Sequence, residues 1–334
     1  MNCSSGERGR KGEHRMRRKM AVVVPELTAG QRDRIRAAAE GHGFEVRFLN
    51  TPKEDTDFLN GAEVVFGHLV KTAKISTALK WICTPYAGVD QFLEEGAFAN
   101  PGALLTNSSG AYGVTIAEHT VMVLLDILRR QPEYRRITDV HGWKRDLKVR
   151  SVRDSRITLL GTGDIGRETA LRLRAFAPAR LTGVNRSGRE AAGFDRILTG
   201  ENWETVLPET DVLIISLPGT REAFHMVGEK QLALLPDGAV VINVGRGSVI
   251  DQEALFRELG SGRLFAGLDV FEQEPLPPDD PAWEMPNLLI TPHTAGNMTL
   301  DYTVEKIVTQ FLEDLENYCA GRQPEHLVDR NKGY

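Results

Sequence analysis

The sequence predicts an α/β protein with two parallel sheets, each covered by helices. Short apolar runs bounded by Gly, Pro or Asn alternate with helical patterns, first from about residue 20 to 106 and again from about residue 156 to 291. Runs of this length are typical of strands that are buried on both faces, and the segments between them predict crossover helices. With 334 residues, the chain is long enough for two domains, each with its own sheet.

The first series of runs predicts a small sheet. It consists of AVVVP, EVRFL, AEVVFG, LKWICT and ALLTN, and the segment QRDRIRAAAEGHG between the first two has helical spacing. A further helical pattern, YTVEKIVTQFLEDLENY, lies near the end of the chain and is expected to pack back across both units. We therefore assign residues 20–108 together with residues 297–334 to one domain.

The second series predicts an open, doubly wound sheet in a domain of residues 109–296. Six runs, RITLLG, LTGVN, DVLIIS, AVVINV, FAGLDV and NLLIT, alternate with helical spacers. The stretch of residues 113–130 that precedes this series is apolar nearly all round. Such a helix is usually buried between domains or between subunits.

Composition and charge argue against membrane proteins and nucleic-acid-binding proteins. No apolar run approaches the roughly 18 to 20 residues that a helix needs to span a bilayer. The formal net charge is −5, and residues 1–20 contain seven Lys or Arg and two Glu, so the rest of the chain carries −10. An acidic body argues against a nucleic-acid surface. Residues 1–19 are interpreted as a disordered basic tail, or as residues before a true start at Met16 or Met20, rather than as a targeting segment.

The three cysteines predict a reducing compartment. Cys3, Cys83 and Cys319 are odd in number and far apart, so neither a disulfide framework nor metal-ligand spacing can be read from them. Cys83 lies in the apolar run KWICT, where we expect a buried structural thiol. We therefore expect a cytoplasmic protein without a metal site.

A glycine-rich turn follows the first strand of the second series. Gly161, Gly163 and Gly166 form G-x-G-x-x-G between the strand RITLL and a helix that begins with Asp164 and Ile165. The first glycine permits a tight turn, the second lets the backbone approach a pyrophosphate, and the third lets the helix pack closely on the strand. The helix N-terminus offers free N–H groups to phosphates. The pattern predicts a dinucleotide site, and the alternative is a glycine turn without a ligand.

The segment after the next strand bears on the choice of cofactor. A dinucleotide site that prefers NAD should have Asp or Glu about 20 residues beyond the glycines, but the sequence has Asn185, Arg186 and Ser187 there. Asn185 removes the repulsion that a carboxylate would exert on a 2'-phosphate, and the following residues with Arg189 add cations and a hydroxyl donor. The segment favours NADP(H). NAD(H) is the alternative if these residues form only a solvated loop.

Three side chains that suit carbonyl reduction follow later strands of the same sheet. Arg246 in VINVGRGSVID, Glu274 in GLDVFEQEP and His293 in ITPHTAGN lie where ligands of an open α/β sheet bind. Arg can hold a carboxylate and polarise the adjacent carbonyl. His can transfer a proton near neutral pH, and a Glu bonded to its second ring nitrogen favours the protonated imidazole. Taken singly, each could instead be a turn residue, part of an acidic loop or a satisfied histidine.

The motifs together resemble those of a known family, the D-isomer-specific 2-hydroxyacid dehydrogenases. The resemblance runs from about residue 22 to 319 and rests on motifs in family order: YAGVD, GVTIAEHT, LLGTGDIG, VINVGRGSVID, GLDVFEQEP and TPHTAG. It implies two Rossmann-like domains with an interdomain cleft, namely a flavodoxin-like substrate domain and a doubly wound parallel-sheet NAD(P)-binding domain. It also implies a homodimer formed through the cofactor domain.

The resemblance implies roles for individual residues. It implies Arg246 as the binder of the substrate carboxylate, His293 as acid/base and Glu274 as its partner. The other substrate contacts that it implies are Leu69, Val70, Gly88 and Val89. Asp269 is similar to the family aspartate that meets the nicotinamide carboxamide. Beyond the glycine turn and residues 185–187, the further implied cofactor contacts are Pro218, Thr220, Val244 and Gly296.

Two features bear on the substrate and on the direction of the reaction. Tyr86 stands where the family more usually has a glycine before AGVD; we interpret it as ordinary packing, with a role in specificity as the alternative. Residues 185–187 are similar to those of the NADPH-using glyoxylate and hydroxypyruvate reductases. The expected activity is NAD(P)H-dependent reduction of a small 2-oxo acid to the D-2-hydroxy acid. The alternatives are a dinucleotide-sensing corepressor and NAD-dependent oxidation of formate or phosphite.

Overall fold

The computed structural model describes residues 18–333 and contains two parallel sheets. Sheet A is formed by β1 (Arg18–Val22), β2 (Phe44–Phe48), β3 (Val64–Phe66), β4 (Trp81–Cys83) and β5 (Leu104–Thr106). Its strands are parallel and follow the order β2-β1-β3-β4-β5. This is the flavodoxin-like order, as predicted. The predicted basic tail lies outside the described residues, apart from Arg18 and Lys19, which belong to β1.

Sheet B is the larger sheet. It is formed by β6 (Arg156–Leu160), β7 (Arg180–Val184), β8 (Arg196–Leu198), β9 (Val212–Ile215), β10 (Val240–Asn243), β11 (Phe265–Leu268) and β12 (Leu288–Ile290). The order is β12-β11-β10-β9-β6-β7-β8, all parallel, which confirms a doubly wound sheet. The sequence predicts six of these seven strands. It misses β8 because this short edge strand begins with the exposed Arg196 and lacks a buried apolar run.

The first helix of sheet A begins at a capping residue. Helix α1 (Ala29–Gly41) follows Thr28, whose side chain accepts a hydrogen bond from the Gln31 amide, while the Gln31 side chain accepts one from the Thr28 amide. Its buried face includes Ile35 and Ala39, which are one turn apart. Two shorter helices, α2 (Thr56–Asn60) and α3 (Val70–Ile75), connect the strands that follow.

The helices of sheet B include one that the sequence does not predict. Helix α4 (Gly113–Leu128) is followed by α5 (Gln131–Asp139), α6 (Asp164–Arg174), α7 (Glu229–Leu234) and α8 (Gln252–Gly260). Helix α5 has no buried residue, so it carries no apolar periodicity that could reveal it. Helix α4 packs against α6, β10 and β11. The contact with β11 is so close that a Cβ on Gly267 would lie 2.3 Å from the Val123 side chain.

A helix from the end of the chain, α9 (Asp301–Cys319), covers sheet A. Phe311 of this helix stacks on Phe66 of β3, with ring centroids 4.1 Å apart, and on Trp81 of β4, at 5.4 Å. Cys83 is buried, as predicted, and its burial raises its pKa to about 12. Among residues 18–333, no helix is long and apolar enough to cross a membrane.

Loops at the carboxyl ends of the two sheets meet at the place where the family resemblance implies the interdomain cleft. The loop after β4 carries Asp90 and the loop after β10 carries Arg246, and the Arg246 Nε atom lies 3.1 Å from the Asp90 carboxylate. Since the two residues follow strands of different sheets, this contact fixes where the two strand edges meet. The glycine turn and the three candidate catalytic residues all lie on loops at the same edge of sheet B.

Candidate active site

The glycine turn has the geometry that a pyrophosphate requires. Gly161 has φ +101°, and a Cβ there would lie 2.8 Å from the Ser216 hydroxyl. A Cβ on Gly166 would lie 2.1 Å from the Gly161 carbonyl oxygen, so the helix can approach the strand only with glycine there. The space around Gly163 is open within 4 Å, and no side chain caps the start of α6. The backbone here therefore leaves room and free amides for a phosphate group.

The two residues that begin α6 contribute to this site through the backbone. The Asp164 carboxylate lies against Gly113 at the start of α4 and accepts its amide, and burial raises the pKa of Asp164. Ile165 packs against the apolar core between the sheets. Both side chains are thus used in packing α6 against its neighbours. The groups of these two residues that remain for a ligand are the backbone amides at the start of the helix.

Asn185 connects the glycine turn to the loop that follows β7. Its Nδ2 atom donates to the Thr162 hydroxyl and to the Arg189 carbonyl oxygen, both at 2.9 Å. Ser187 donates to Asn185 Oδ1 at 3.4 Å. An amide can make these two donations, whereas a carboxylate at this position would accept only. The hydrogen bonds hold residues 185–189 beside the turn.

The catalytic candidates His293 and Glu274 form a close pair. The His293 Nδ1 atom lies 2.6 Å from Glu274 Oε2, and the second carboxylate oxygen accepts the Phe271 amide at 2.9 Å. Glu274 lies between β11 and β12, and His293 follows β12, so adjacent parallel strands bring the two loops together. Because the carboxylate accepts, Nδ1 carries the proton and Nε2 is the ring nitrogen left for proton transfer.

The pair stabilises the protonated imidazole. The hydrogen bond from His293 to Glu274 raises the pKa of His293 above its ordinary value, against the effects of burial and of Arg246. Burial opposes ionisation of Glu274, but the hydrogen bonds from His293 and from the Phe271 amide outweigh it and lower the pKa of Glu274. The ionised Glu274 and the protonated His293 therefore support each other, as a proton donor near neutral pH requires.

Asp269 holds the loop that carries His293. Its buried carboxylate accepts the Thr291 hydroxyl at 2.6 Å, the Thr294 amide at 2.9 Å and the Ala295 amide at 3.1 Å. Its backbone carbonyl oxygen accepts the His293 amide at 2.9 Å. These bonds fix residues 291–295 relative to β11 and thereby fix the position of the loop that carries the His293 imidazole.

His119 extends this network from helix α4. The Thr291 hydroxyl donates to Asp269, so its oxygen accepts from the His119 Nε2 atom, which lies 3.1 Å away. Burial lowers the pKa of His119, although Asp269 opposes this effect. Both residues lie in motifs quoted above, GVTIAEHT and TPHTAG, but the sequence indicated no role for either. The signal available was the run of three charged or polar residues, EHT, in an otherwise apolar helix.

Arg246 lies between loops of the two sheets. Besides its contact with Asp90, it donates from Nη1 to the Gly245 carbonyl oxygen at 2.8 Å. Its backbone carbonyl oxygen accepts the Asn243 side chain at 2.8 Å. A Cβ on Gly88 would lie 2.0 Å from the Arg246 Nη2 atom, so the guanidinium rests on the backbone of the YAGVD loop. The structure thus brings together Arg246 and Gly88, two of the predicted substrate contacts, and adds Asp90, for which the sequence indicated no role.

The remaining substrate candidates lie at the carboxyl end of sheet A. Leu69 and Val70 follow β3, and Val70 begins helix α3. Tyr86 follows β4, is 42% exposed, and meets His68 edge to face with ring centroids 5.3 Å apart. His68 in turn lies edge to face with the buried Phe92 at 5.0 Å. Tyr86 therefore packs on one side and reaches solvent on the other.

Four further cofactor candidates lie on loops of sheet B. Pro218 and Thr220 follow β9, where the Pro218 carbonyl oxygen accepts the Thr220 amide at 2.9 Å. Val244 directly follows β10 and is buried. Gly296 packs against α4, since a Cβ there would lie 3.2 Å from the Ile116 side chain. The roles of these four residues in cofactor binding remain predictions.

Comparison with known proteins places the chain in a family. A family model for the D-isomer specific 2-hydroxyacid dehydrogenase NAD binding domain matches residues 121–295. The chain is 32% identical over 237 residues to the glyoxylate reductase of Korarchaeum cryptofilum, which covers 69% of this chain and 70% of that protein. It is 31% identical over 261 residues to glyoxylate/hydroxypyruvate reductase B of Yersinia pestis, which covers 77% of this chain and 79% of that protein.

Solved structures show the same fold over nearly the whole chain. A D-isomer specific 2-hydroxyacid dehydrogenase family protein from Aeromonas salmonicida has a TM-score of 0.84 at 29% identity, covering 94% of this chain and 99% of that one. The NADPH-dependent glyoxylate/hydroxypyruvate reductase from Sinorhizobium meliloti, solved with NADP and sulfate, has a TM-score of 0.76 at 27% identity, covering 95% and 100%. The protein is thus an oxidoreductase that binds a nicotinamide dinucleotide, and the chain belongs to the D-isomer specific 2-hydroxyacid dehydrogenase family.

Proposed function

We propose that this dehydrogenase reduces a small 2-oxo acid of the size of glyoxylate or hydroxypyruvate to the D-2-hydroxy acid, with NADPH as the hydride donor. The observation that carries the proposal is that Arg246 lies close enough to the His293–Glu274 pair for its charge to lower the pKa of both groups. A carboxylate-binding cation beside a protonated imidazole is the arrangement that carbonyl reduction next to a carboxylate needs. The names of the relatives from Korarchaeum and Yersinia support this substrate class.

Each part of the site has a task in this proposal. Arg246 holds the substrate carboxylate together with the backbone amides of Gly88 and Val89, and the loop of Leu69 and Val70 closes the other side. His293 delivers the Nε2 proton to the carbonyl oxygen as it becomes an alkoxide, because Glu274 holds Nδ1. The glycine turn would hold the pyrophosphate of the dinucleotide, whose nicotinamide would supply the hydride.

The loop after β7 supports NADPH rather than NADH. Asn185 has no charge to repel a 2'-phosphate, and its hydrogen bonds fix the loop that carries Arg186 and Ser187. A further cation, Arg221, lies near the same loop. Hydrogen bonds from the backbone and from Thr220 lower the pKa of the exposed Glu222, and the charges of Arg186 and Arg221 lower it further. The sequence did not indicate a role for Arg221. We assign these arginines to the 2'-phosphate.

The domain division and the homodimer are also parts of the proposal. The substrate domain consists of residues 20–108 and 297–334, preceded by the first two residues of β1, and the cofactor domain of residues 109–296. In the cofactor domain, Val140 and Trp143 are 77% and 90% exposed, and Met122 of α4 and Leu171 of α6 are 45% and 49% exposed. Large exposed apolar side chains of this kind are typical of an interface between subunits. Light scattering after size exclusion should therefore give twice the mass of the chain.

The alternatives are not favoured. A dinucleotide-sensing corepressor has no need of a proton donor, whereas His293 and Glu274 are paired for proton transfer. Oxidation of formate or phosphite would favour NAD, contrary to the Asn185 segment.

Initial rates of glyoxylate and hydroxypyruvate reduction with NADPH and with NADH test the proposal. We expect turnover with NADPH, a higher kcat/KM for NADPH than for NADH, and at least a roughly tenfold loss of that preference in Arg186→Ala, since an Arg–phosphate contact is charge-assisted. Arg257→Ala, which removes an exposed arginine of α8 paired with Glu229, is the matched control and should keep the preference. Absence of turnover with both acids and both cofactors would refute the proposed activity.

A further inference from the structure

An ion pair crosses the cleft at the candidate substrate site. The Arg246 Nε atom donates to Asp90 Oδ2 at 3.1 Å, although the two residues are 156 positions apart. Asp90 follows β4 of sheet A, and Arg246 follows β10 of sheet B. The sequence indicates no role for Asp90, and substrate binding by Arg246 does not by itself require it.

The local fold directs the Asp90 side chain into the cleft. Asp90 begins a short 3-10 turn, Asp90–Phe92, and the residue before it, Val89, and the last residue of the turn, Phe92, are 3% and 1% exposed. These two buried side chains fix the turn, and the Asp90 side chain remains 57% exposed on the opposite side. A Cβ on Gly219 would lie 3.5 Å from Asp90 Oδ1, so a loop of sheet B bounds the second carboxylate oxygen.

Two of the three guanidinium nitrogens of Arg246 are already held. Nε donates to Asp90 and Nη1 donates to the Gly245 carbonyl oxygen at 2.8 Å. In the part of the chain that the structure describes, Nη2 makes no hydrogen bond, and it lies against the backbone of Gly88. Held in this way, the guanidinium presents Nη2 beside the amides of Gly88 and Val89, where the proposed function places the substrate carboxylate.

Stability gives little reason for this pair. Partly exposed ion pairs contribute little to folding, and an anion beside Arg246 weakens the attraction of the guanidinium for a second carboxylate. The pair instead orients the guanidinium before the substrate binds. Without it, the substrate would have to fix the arginine side chain, and the lost rotational freedom would weaken binding. We propose that Asp90 is a positioning residue that fixes the guanidinium of Arg246 across the cleft for the substrate carboxylate; this inference rests on the proposed function.

The kinetics of two Asp90 variants and one control variant test the inference. For Asp90→Ala we expect the KM for the 2-oxo acid to rise and kcat/KM to fall by about tenfold to a hundredfold, while the Kd for NADPH changes by less than about twofold. Asp90→Glu restores the anion and should recover most of the loss. Asp33→Ala removes an aspartate that pairs with Arg36 on the surface of α1 and should leave both constants unchanged.

A double-mutant cycle separates action through Arg246 from an independent effect. If Asp90 acts by orienting Arg246, Asp90→Ala should cost less than about threefold in kcat/KM when Arg246 is already replaced by Lys, because the amine lacks the Nε donor that Asp90 holds. An equal loss in both backgrounds would show that Asp90 acts elsewhere and would overturn the inference. So would a lower KM in Asp90→Ala, since that result would make Asp90 a competitor of the substrate carboxylate.

A binding measurement keeps the inference separate from the proposed reaction. Oxalate is a small dicarboxylate that cannot be reduced at this site, and its Kd with the NADPH-loaded protein can be measured by calorimetry. We expect oxalate to bind wild type at least about tenfold more tightly than Asp90→Ala. If wild type reduces neither acid yet shows this difference, the proposed reaction fails and the role of Asp90 stands. If the reaction is confirmed and Asp90→Ala binds oxalate like wild type, only the inference fails.

Discussion

The imidazole of His293 and the carboxylate of Glu274 are 19 residues apart in the chain and 2.6 Å apart in the fold. Two adjacent parallel strands, β11 and β12, end at the same edge of sheet B and bring their loops together. The pair raises the pKa of His293 through the hydrogen bond to Glu274. The pairing therefore favours the protonation state of His293 that reduction requires.

The pH dependence of reduction follows from this raised pKa. The proton donor is the protonated His293, so kcat/KM for reduction should be constant at low pH and fall as pH rises through the His293 pKa. Because the pKa is raised, the midpoint should lie above pH 6.5. The reverse oxidation needs neutral His293 and should show the opposite limb. Initial rates measured across pH 5 to 9 in both directions check this, and a reduction midpoint below pH 6.5 would contradict it.

Glu274→Gln should move that midpoint to lower pH. The substitution removes the charge and the accepting carboxylate that raise the pKa of His293, and leaves burial and Arg246, which lower it. We expect kcat at neutral pH to fall roughly tenfold to a hundredfold. Glu272→Gln is a matched control in the same loop, because Glu272 pairs with His225 at 2.8 Å instead. A shifted profile in the control, or an unshifted one in Glu274→Gln, would argue against the pairing as the cause.

Gly88→Ala should weaken binding of the substrate carboxylate without unfolding the protein. A Cβ at this position would lie 2.0 Å from the Arg246 Nη2 atom, so the guanidinium must move. The neighbour is the far end of a flexible side chain, so we expect a melting temperature near that of wild type and a KM at least about tenfold higher. Gly30→Ala on α1 is the control, because a Cβ at Gly30 would have no atom within 4 Å, and it should change neither the melting temperature nor the KM. A normal KM in Gly88→Ala would mean that the contact is unimportant for binding.

Phe311→Ala should test how strongly α9 is bound to sheet A. Phe311 is 1% exposed and stacks on Phe66 and Trp81, so truncation leaves a cavity and should lower the free energy of unfolding by about 3 to 5 kcal/mol. Phe224→Ala makes the same chemical change at a side chain that is 60% exposed and should cost less than about 0.5 kcal/mol. Urea denaturation of both variants gives the comparison, and equal losses would contradict the packing.

The strands and the glycine turn could be predicted because their signals are local. Buried parallel strands are apolar over their whole length, so RITLL or DVLIIS indicates a strand without reference to any neighbour. The turn from Gly161 to Gly166 likewise needs only its own strand and helix. Edge strand β8 and helix α5 lack that signal, since neither buries an apolar face.

The contacts that join distant loops could not be predicted in this way. Nothing in the spacing of Asp90 and Arg246 shows that loops of different sheets meet, because this depends on how the two sheets are placed. The hydrogen-bond network from His119 through Thr291 to Asp269 could not be predicted for the same reason. It connects helix α4, which precedes sheet B in the sequence, with the loops that follow two later strands of that sheet. The positions of Arg246, Glu274 and His293 after predicted strands could be read, and so could the pairing of His293 with Glu274, whereas the contact of Arg246 with Asp90 could not.

The position of α9 near the end of the chain has a consequence for folding during translation. Sheet A is complete in the chain at Thr106, but the helix that covers one of its faces ends at Cys319. While the intervening residues are being translated, the aromatic surface around Phe66 and Trp81 lacks its stacking partner Phe311. The first sheet to emerge is therefore the last to be finished, and the nascent chain exposes this surface to chaperones and to other chains throughout that interval.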